Sequence, residues 1–363
     1  MQNVFRIKFL SEKQLVPIIA ITHAIIDMCC AVFVVSLINI YPLKNDEYIS
    51  KIIIYNVLAF GLQPLVGYMA DRFLNAKLYT LLGCVLTCAA LFLLFVSPWM
   101  VVLFAGTGNA LFHIGGGIAA LTIRKRIAPS GWFVAPGALG LASGIYLGRM
   151  YVPSIWPYMI LLVFTVIGIG AVKFPVKKNV GYNKIKNLNM LCLIAGLLLI
   201  SVAVRSFVGF QSGGLWKGNR IALWLIPVSI ASGKVLGGII ADWIGLFKTG
   251  IAALIVSFIL LSVFPSNRWA SLCGLMLLQM TMPVTLVALS KVIPGKPGTA
   301  FGLCCLALII GAVPAITSIR LNIRNEIAVS AGLVISTIAF YIALNIFEKN
   351  QNENTMVEVV ATV

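Results

Sequence analysis

Along almost the whole chain, apolar stretches of about 20 residues alternate with short breaks made of Pro, Gly and small clusters of charge. A helix needs about 20 mostly apolar residues to cross the hydrocarbon of a bilayer. Read against that length, the breaks divide the sequence into twelve candidate spans. They lie near 16–41, 50–70, 78–97, 99–123, 132–150 and 155–174, then 188–210, 219–241, 248–265, 268–292, 298–319 and 327–347. Two connections are long, 42–49 and 175–187, and the second (PVKKNVGYNKIKN) is polar, basic and central. The pattern predicts an all-α membrane protein with six spans over 1–174, a linker over 175–187, six more spans over 188–347 and a polar tail over 348–363. The first dozen residues are basic, and no small-residue cleavage site follows, so the first apolar run is expected to be a retained helix.

Composition supports a lipid environment. Hydrophobic residues make up 60% of the chain and charged residues 10%, against roughly a quarter charged in soluble domains. The net charge of +17 raises the question of nucleic acid. The basic residues are scattered singly or in twos and threes between apolar runs, so no continuous basic face forms and nucleic acid is excluded as a partner. They divide instead by topology. With the N-terminus inside, cytoplasmic loops carry about twice as many Lys and Arg as external ones. Both termini are therefore expected in the cytoplasm, with the chain multi-pass in the plasma (inner) membrane. The eight cysteines all fall inside apolar runs and read as small buried hydrophobes, with no disulfide or metal framework. No Walker motif is present, which argues against ATP as an energy source, and no cofactor is expected.

Two segments echo each other at half the chain length. Gly67-Tyr-Met-Ala-Asp71-Arg72, running on to Lys77, and Gly238-Ile-Ile-Ala-Asp242-Trp243, running on to Lys248, both read G-x-x-x-D-x-x-x-x-x-K. Each joins the second and third spans of its half. The Gly allows close helix approach, and the Asp can accept from a neighbouring helix N-terminus, where the dipole favours negative charge. Arg72, Lys77 and Lys248 are then available to complete a charge cluster. The pair resembles the loop signature of the major facilitator superfamily, G-x-x-x-D-R-x-x-x-x-[KR], with Trp243 standing where the first copy has Arg72. Two further segments, GNALFHIGGG (108–117) and MPVTLVALSKVIPGKPGTAFGL (282–303), resemble the fosmidomycin-resistance-type exporters within it. The resemblance implies two six-helix bundles around a central cavity lined by the first, fourth, seventh and tenth helices.

Polar residues within the spans concentrate on those helices. His23 and Asp27 are four apart and share one face of the first span. A carboxylate and an imidazole at bilayer depth suit proton binding, with an ion pair that merely positions the helix as the alternative. Asn109 and His113, again four apart, lie in the fourth span, where a packing histidine beside Gly115–Gly117 competes with a substrate contact. Arg205, in the seventh span, cannot be neutralised and needs a carboxylate, carbonyls, water or an anionic ligand. Asp27 and a substrate anion are its two candidate partners. Gln279, near Pro283 in the tenth span, is a further cavity candidate. Lys234 is expected to snorkel to the cytoplasmic surface. Gly137, Gly140, Gly144 and Gly148 are expected to form a packing seam rather than a phosphate loop.

The function expected is proton-coupled secondary transport of a small anionic or zwitterionic compound, exported rather than taken up, by a monomer. An uptake permease is the nearest alternative, and a non-transporting receptor or structural protein the alternative from another class. An enzyme is not expected, because two lone histidines supply neither a nucleophile–base set nor metal ligands.

Overall fold

The computed structural model describes residues 12–73, 75–123, 126–175, 185, 187–212, 221–317 and 324–361. The linker expected over 175–187 lies almost wholly outside them, as do Arg124, Lys125 and the basic first eleven residues. The described chain is helical throughout: α1 (Glu12–Val35), α2 (Asn45–Phe73), α3 (Ala76–Phe92), α4 (Pro98–Thr122), α5 (Ala128–Met150), α6 (Ile155–Ala171), α7 (Leu188–Gln211), α8 (Ala222–Ile244), α9 (Leu246–Val263), α10 (Arg268–Val292), α11 (Pro297–Ile316) and α12 (Asn325–Ala361). Ten are long and apolar enough to cross a membrane. The other two, α3 and α6, are apolar helices of 17 residues each.

Two boundaries differ from the sequence expectation. The connection expected over 42–49 is mostly helix. Asp46 and Glu47 sit in the first turn of α2, where the dipole favours negative charge, and the Glu47 carboxylate accepts from the N–H of Lys44 at 3.3 Å. Inside α2, Val57–Gly61 is a π-helical segment, an insertion that rotates the residues after it and often lies near functional positions. At the other end of the chain, α12 runs through the expected polar tail to Ala361.

The outer surface is apolar. On α6, Trp156, Ile160, Val163, Phe164 and Ile167 are exposed at helical spacing, a face that only lipid can solvate without cost. Packing between helices therefore relies on close approach rather than on a hydrophobic drive. The α1–α5 contact shows how. Gly140 lies so near the Ala24 carbonyl that a Cβ would collide with it, and Gly144 meets Met28 in the same way. The seam expected from the glycine spacing exists, and it is the interface with α1.

Neighbour relations in the first six helices recur in the last six. The pairs α1–α5, α3–α4, α1–α4, α3–α6 and α1–α6 have counterparts α7–α11, α9–α10, α7–α10, α9–α12 and α7–α12. The two sets join through α2–α11 and α5–α8, again a corresponding pair, with smaller contacts α4–α11 and α5–α10.

Because Gly140 faces backbone, Gly140→Ala should destabilise by about 1–3 kcal/mol, as overpacking does. Gly170→Ala and Gly196→Ala, where a Cβ meets open space, should leave the melting temperature in detergent nearly unchanged. Equal effects at the three positions would show that the seam does not hold α1 to α5.

Candidate functional site

At the end of the bundle that carries the start of α1, the duplicated G-x-x-x-D segments perform one job twice. Gly67 of α2 abuts the backbone of Gly298, and the Asp71 carboxylate accepts from Gly298 N–H (2.9 Å), Thr299 N–H (2.7 Å) and Thr299 Oγ1 (2.8 Å) at the start of α11. Gly238 of α8 abuts Ala128, and the Asp242 carboxylate accepts from Ile127 N–H (2.6 Å) and Ala128 N–H (3.2 Å) at the start of α5. Each Asp thus satisfies otherwise orphaned N–H groups of a helix from the opposite half and meets the positive end of its dipole. The charge cluster expected from the basic residues takes a different form. Lys77 donates to the carbonyls of Gly170 (2.7 Å) and Val172 (3.0 Å), closing the C-terminus of α6. Arg72 and Lys248 are exposed.

Deeper in, the structure brings together four residues that the sequence places on two helices. His23 is 4% exposed, Asn109 1% and His113 5%. The Asp27 carboxylate lies 3.1 Å from His23 Nε2 and 3.7 Å from His113 Nε2, and accepts from Asn109 Nδ2 at 2.9 Å. The two Nε2 atoms are 2.9 Å apart. The other nitrogen of each ring is engaged as well: His23 Nδ1 donates to the Phe133 carbonyl (2.6 Å) and His113 Nδ1 to that of Asn109 (2.9 Å). The histidines, expected to be lone residues, therefore form one cluster with Asp27, its ligand atoms all within 4.8 Å of one another. Phe60, Phe112 and Phe133 ring it, with centroids between 4.7 and 6.0 Å from a histidine ring. The π segment of α2 supplies Phe60. Asn109 Oδ1 is buried without a donor among the described residues.

Helix α5 frames this cluster. Pro136 has no N–H, so the turn before it lacks one rung of the helix ladder. Two carbonyls of that turn serve other helices: Phe133 takes His23, and Val134 takes Lys234 Nζ of α8 at 3.2 Å. Lys234 thus points across the boundary between the halves, not toward the membrane surface as expected. Asp27 lies within electrostatic reach of its ammonium. The local sequence, which suggests snorkelling, gives no sign of this, because the carbonyl that draws Lys234 inward lies 100 positions away. Gly137 also departs from the simple seam, since a Cβ there would collide with His23 Nε2 and lie 2.7 Å from Asp27 Oδ2.

Arg205, 6% exposed, occupies a separate cluster between α7 and α10. Its Nε donates to the Ser201 carbonyl (3.0 Å), its guanidinium nitrogens to Thr281 Oγ1 and to Thr285 Oγ1 (2.7 Å). The expected Arg205–Asp27 pairing is not made. Asp27 is held by two histidines and an asparagine, while every bond of the guanidinium given above goes to a neutral oxygen. Gln279 is half-buried, its Cβ facing Gly233 of α8 and its amide facing Gly209 of α7. Of the cysteines, Cys192 and Cys273 are exposed on the apolar surface, correcting the expectation that all are buried.

No protein-family model matches the sequence, and no curated protein matches it. Solved structures do. The chain superposes on a variant of the E. coli fucose:proton symporter FucP with a TM-score of 0.65 at 11% identity, covering 92% of this chain and 97% of that one. It matches the human organic anion transporter MFSD10 (TETRAN) with a TM-score of 0.65 at 14% identity, covering 92% and 99%. A third match is FucP, described as a major facilitator superfamily transporter in the outward conformation, at 0.64 and 12% identity, covering 90% and 98%. These likenesses do not reach the fosmidomycin-resistance subgroup. The chain is an integral, multi-pass helical membrane protein with the fold of major facilitator superfamily transporters.

Proposed function

We propose that the protein is a secondary active transporter of a small anionic or zwitterionic molecule, working by alternating access and driven by protons. In this reading its twelve helices all span, as two six-helix bundles (1–174 and 188–347) around a central cavity. The observation that carries it is the placement of charge at membrane depth. Asp27, the two histidines, Lys234 and Arg205 all turn inward, on α1, α4, α7 and α8, in a fold shared with transporters. Charged groups are kept at such depth where an interior pathway uses them. A bundle built only for packing gains nothing from them.

The roles divide between the two clusters. The coupling proton is held where His23 and Asp27 meet. Arg205 has five donors and bonds only neutral oxygens of Ser201, Thr281 and Thr285 among the described residues, so an entering anion finds an unneutralised guanidinium. Asn109 Oδ1 offers a buried acceptor for a donor group of the substrate. His113 and Gln279 complete the lining. The two Asp caps form a gate that must part when the cavity opens at their end. With both termini cytoplasmic in the plasma membrane, that end is the inner one, where both caps bridge the two halves. Export is the direction that the resemblance of 108–117 and 282–303 favours.

Purified protein in proteoliposomes, screened with anionic and zwitterionic solutes under an imposed proton gradient, tests this reading directly. Asp27→Asn should abolish gradient-driven accumulation while counterflow exchange remains measurable. Proton-driven transport that survives the substitution removes Asp27 from coupling.

Arg205→Lys keeps the charge and loses the planar fork, so substrate affinity should fall about tenfold or more, equivalent to about 1.4 kcal/mol. Unchanged affinity removes the basis for an anionic substrate.

Asp71→Ala should depress turnover far more than affinity, because its carboxylate holds the start of α11 and lies away from both clusters. A variant that loses affinity at intact turnover makes Asp71 a ligand instead of a gate.

A further inference from the structure

The hydrogen-bond geometry around the two histidines leaves an accounting problem. A carbonyl oxygen only accepts, so Nδ1 of His23, 2.6 Å from Phe133 O, and Nδ1 of His113, 2.9 Å from Asn109 O, must each carry a proton. In a neutral imidazole the other nitrogen is then a bare lone pair. Both Nε2 atoms would be bare, 2.9 Å apart, with an acceptor-only carboxylate 3.1 Å from one of them. Three acceptors cannot converge at such distances in a buried, aromatic-walled site without something positive between them. The 2.9 Å separation is that of an N–H···N hydrogen bond. A tetrahedral metal with bonds near 2.0–2.1 Å would instead set each edge between ligands at about 3.3 Å. The Nε2–Nε2 edge is shorter than that, and the His113–Asp27 edge, at 3.7 Å, is longer.

We infer that the cluster holds one exchangeable proton, shared between Nε2 of His23 and Nε2 of His113 and balanced by Asp27, and that Lys234 of the opposite half supplies the replacing charge when it leaves. This deepens the coupling reading above and rests on it. With the proton in place, the imidazole pair carries +1 and Asp27 −1, so the cluster is neutral. On release the Nε2–H bond breaks, the proton passes to water in the open cavity, and each ring keeps its Nδ1–H. A net charge of −1 then remains in hydrocarbon. The other groups facing it are Cys30 of α1, Tyr55 of α2, Asn109 of α4 and, beside Lys234, Cys305 of α11, none of them cationic. Helix α5 offers only carbonyls. Lys234 already donates to Val134 O, the carbonyl adjacent to the one that holds His23, and Asp27 lies within its electrostatic reach. Proton occupancy is thereby tied to how strongly α8 is drawn toward the first six helices.

The chain contains only two histidines, so ring-15N labelling of histidine reports this cluster alone. The full-length protein in lipid nanodiscs should show two protonated Nδ1 nitrogens. Its two Nε2 nitrogens should be coupled through one shared proton, with the coupling lost as pH rises. In Lys234→Gln, which keeps a donor for Val134 O and removes the charge, the coupling should persist to a pH about one unit higher. Two uncoupled neutral rings at every pH overturn the bridge, and so do spectra that change when EDTA strips a bound metal. An unchanged pH range in Lys234→Gln overturns the exchange. The spectra require no transport, so the two readings fail separately. If the bridge is absent while Asp27→Asn still abolishes gradient-driven accumulation, coupling stands and the shared proton falls. If the bridge is present while Asp27→Asn transports normally, the proton site stands and its coupling role falls.

Discussion

A charged side chain carried into hydrocarbon has to find its partners inside the protein, since lipid offers neither counter-charge nor hydrogen bonds. Much of this structure follows from how five such side chains meet that demand. Asp27 is met by two histidines and an asparagine, and Arg205 by a carbonyl and two threonine hydroxyls. The difference is chemical. The first cluster contains groups that exchange protons, whereas the second presents a permanent cation to neutral oxygens. The proposed proton site and the proposed anion site therefore lie on corresponding helix pairs, α1 with α4 and α7 with α10, in the two halves of the chain.

Helix termini impose the same demand on the backbone. The first N–H groups of α5 and α11 have no partners within their own helices, and Asp242 and Asp71 meet them from the opposite half. Glycine decides how near the helices come. Gly67 against Gly298 and Gly238 against Ala128 leave no room for a side chain between the backbones, so each carboxylate reaches its donors directly. Such a contact holds well when closed and has no intermediate position. A Cα-to-backbone seam with a charged cap suits a joint that is either made or broken.

Much of this was legible in the sequence, and the limits have physical causes. Spans could be read because hydrocarbon thickness fixes their length, and Gly67, Asp71, Gly238 and Asp242 stood out because they occur twice in matching positions. Helix identity was readable for His23, Asp27, Asn109, His113 and Arg205, as was the i,i+4 stacking on each helix. What periodicity cannot supply is the neighbour that each face meets. It gave no sign that His23 and His113 touch, or that Lys234 turns inward. Asp27 stood beside a substrate anion as a candidate partner for Arg205, because opposite charges at depth attract. Hydroxyls and a carbonyl serve the guanidinium instead. One local signal bore on the site: Pro136, one residue before Gly137, marks where α5 gives up a rung and where a neighbour must sit close.

That turn also connects the two ends of the mechanism. Helix α5 begins at the Asp242 cap, passes the Lys234 backbone at Gly131, gives Phe133 O to His23 and Val134 O to Lys234, and then lies against α1 from Gly137 to Gly148. Its first three turns therefore touch both the contact between the halves and the cluster of His23, His113 and Asp27. If α8 moves away from α5, it takes Asp242 from the helix start and Lys234 from the carbonyl beside the one that orients His23. Opening the joint thus changes the charge felt by Asp27 in the same motion. Because the link runs through adjacent carbonyls of one rigid helix, it needs no chain of intermediate residues to carry a signal between gate and site.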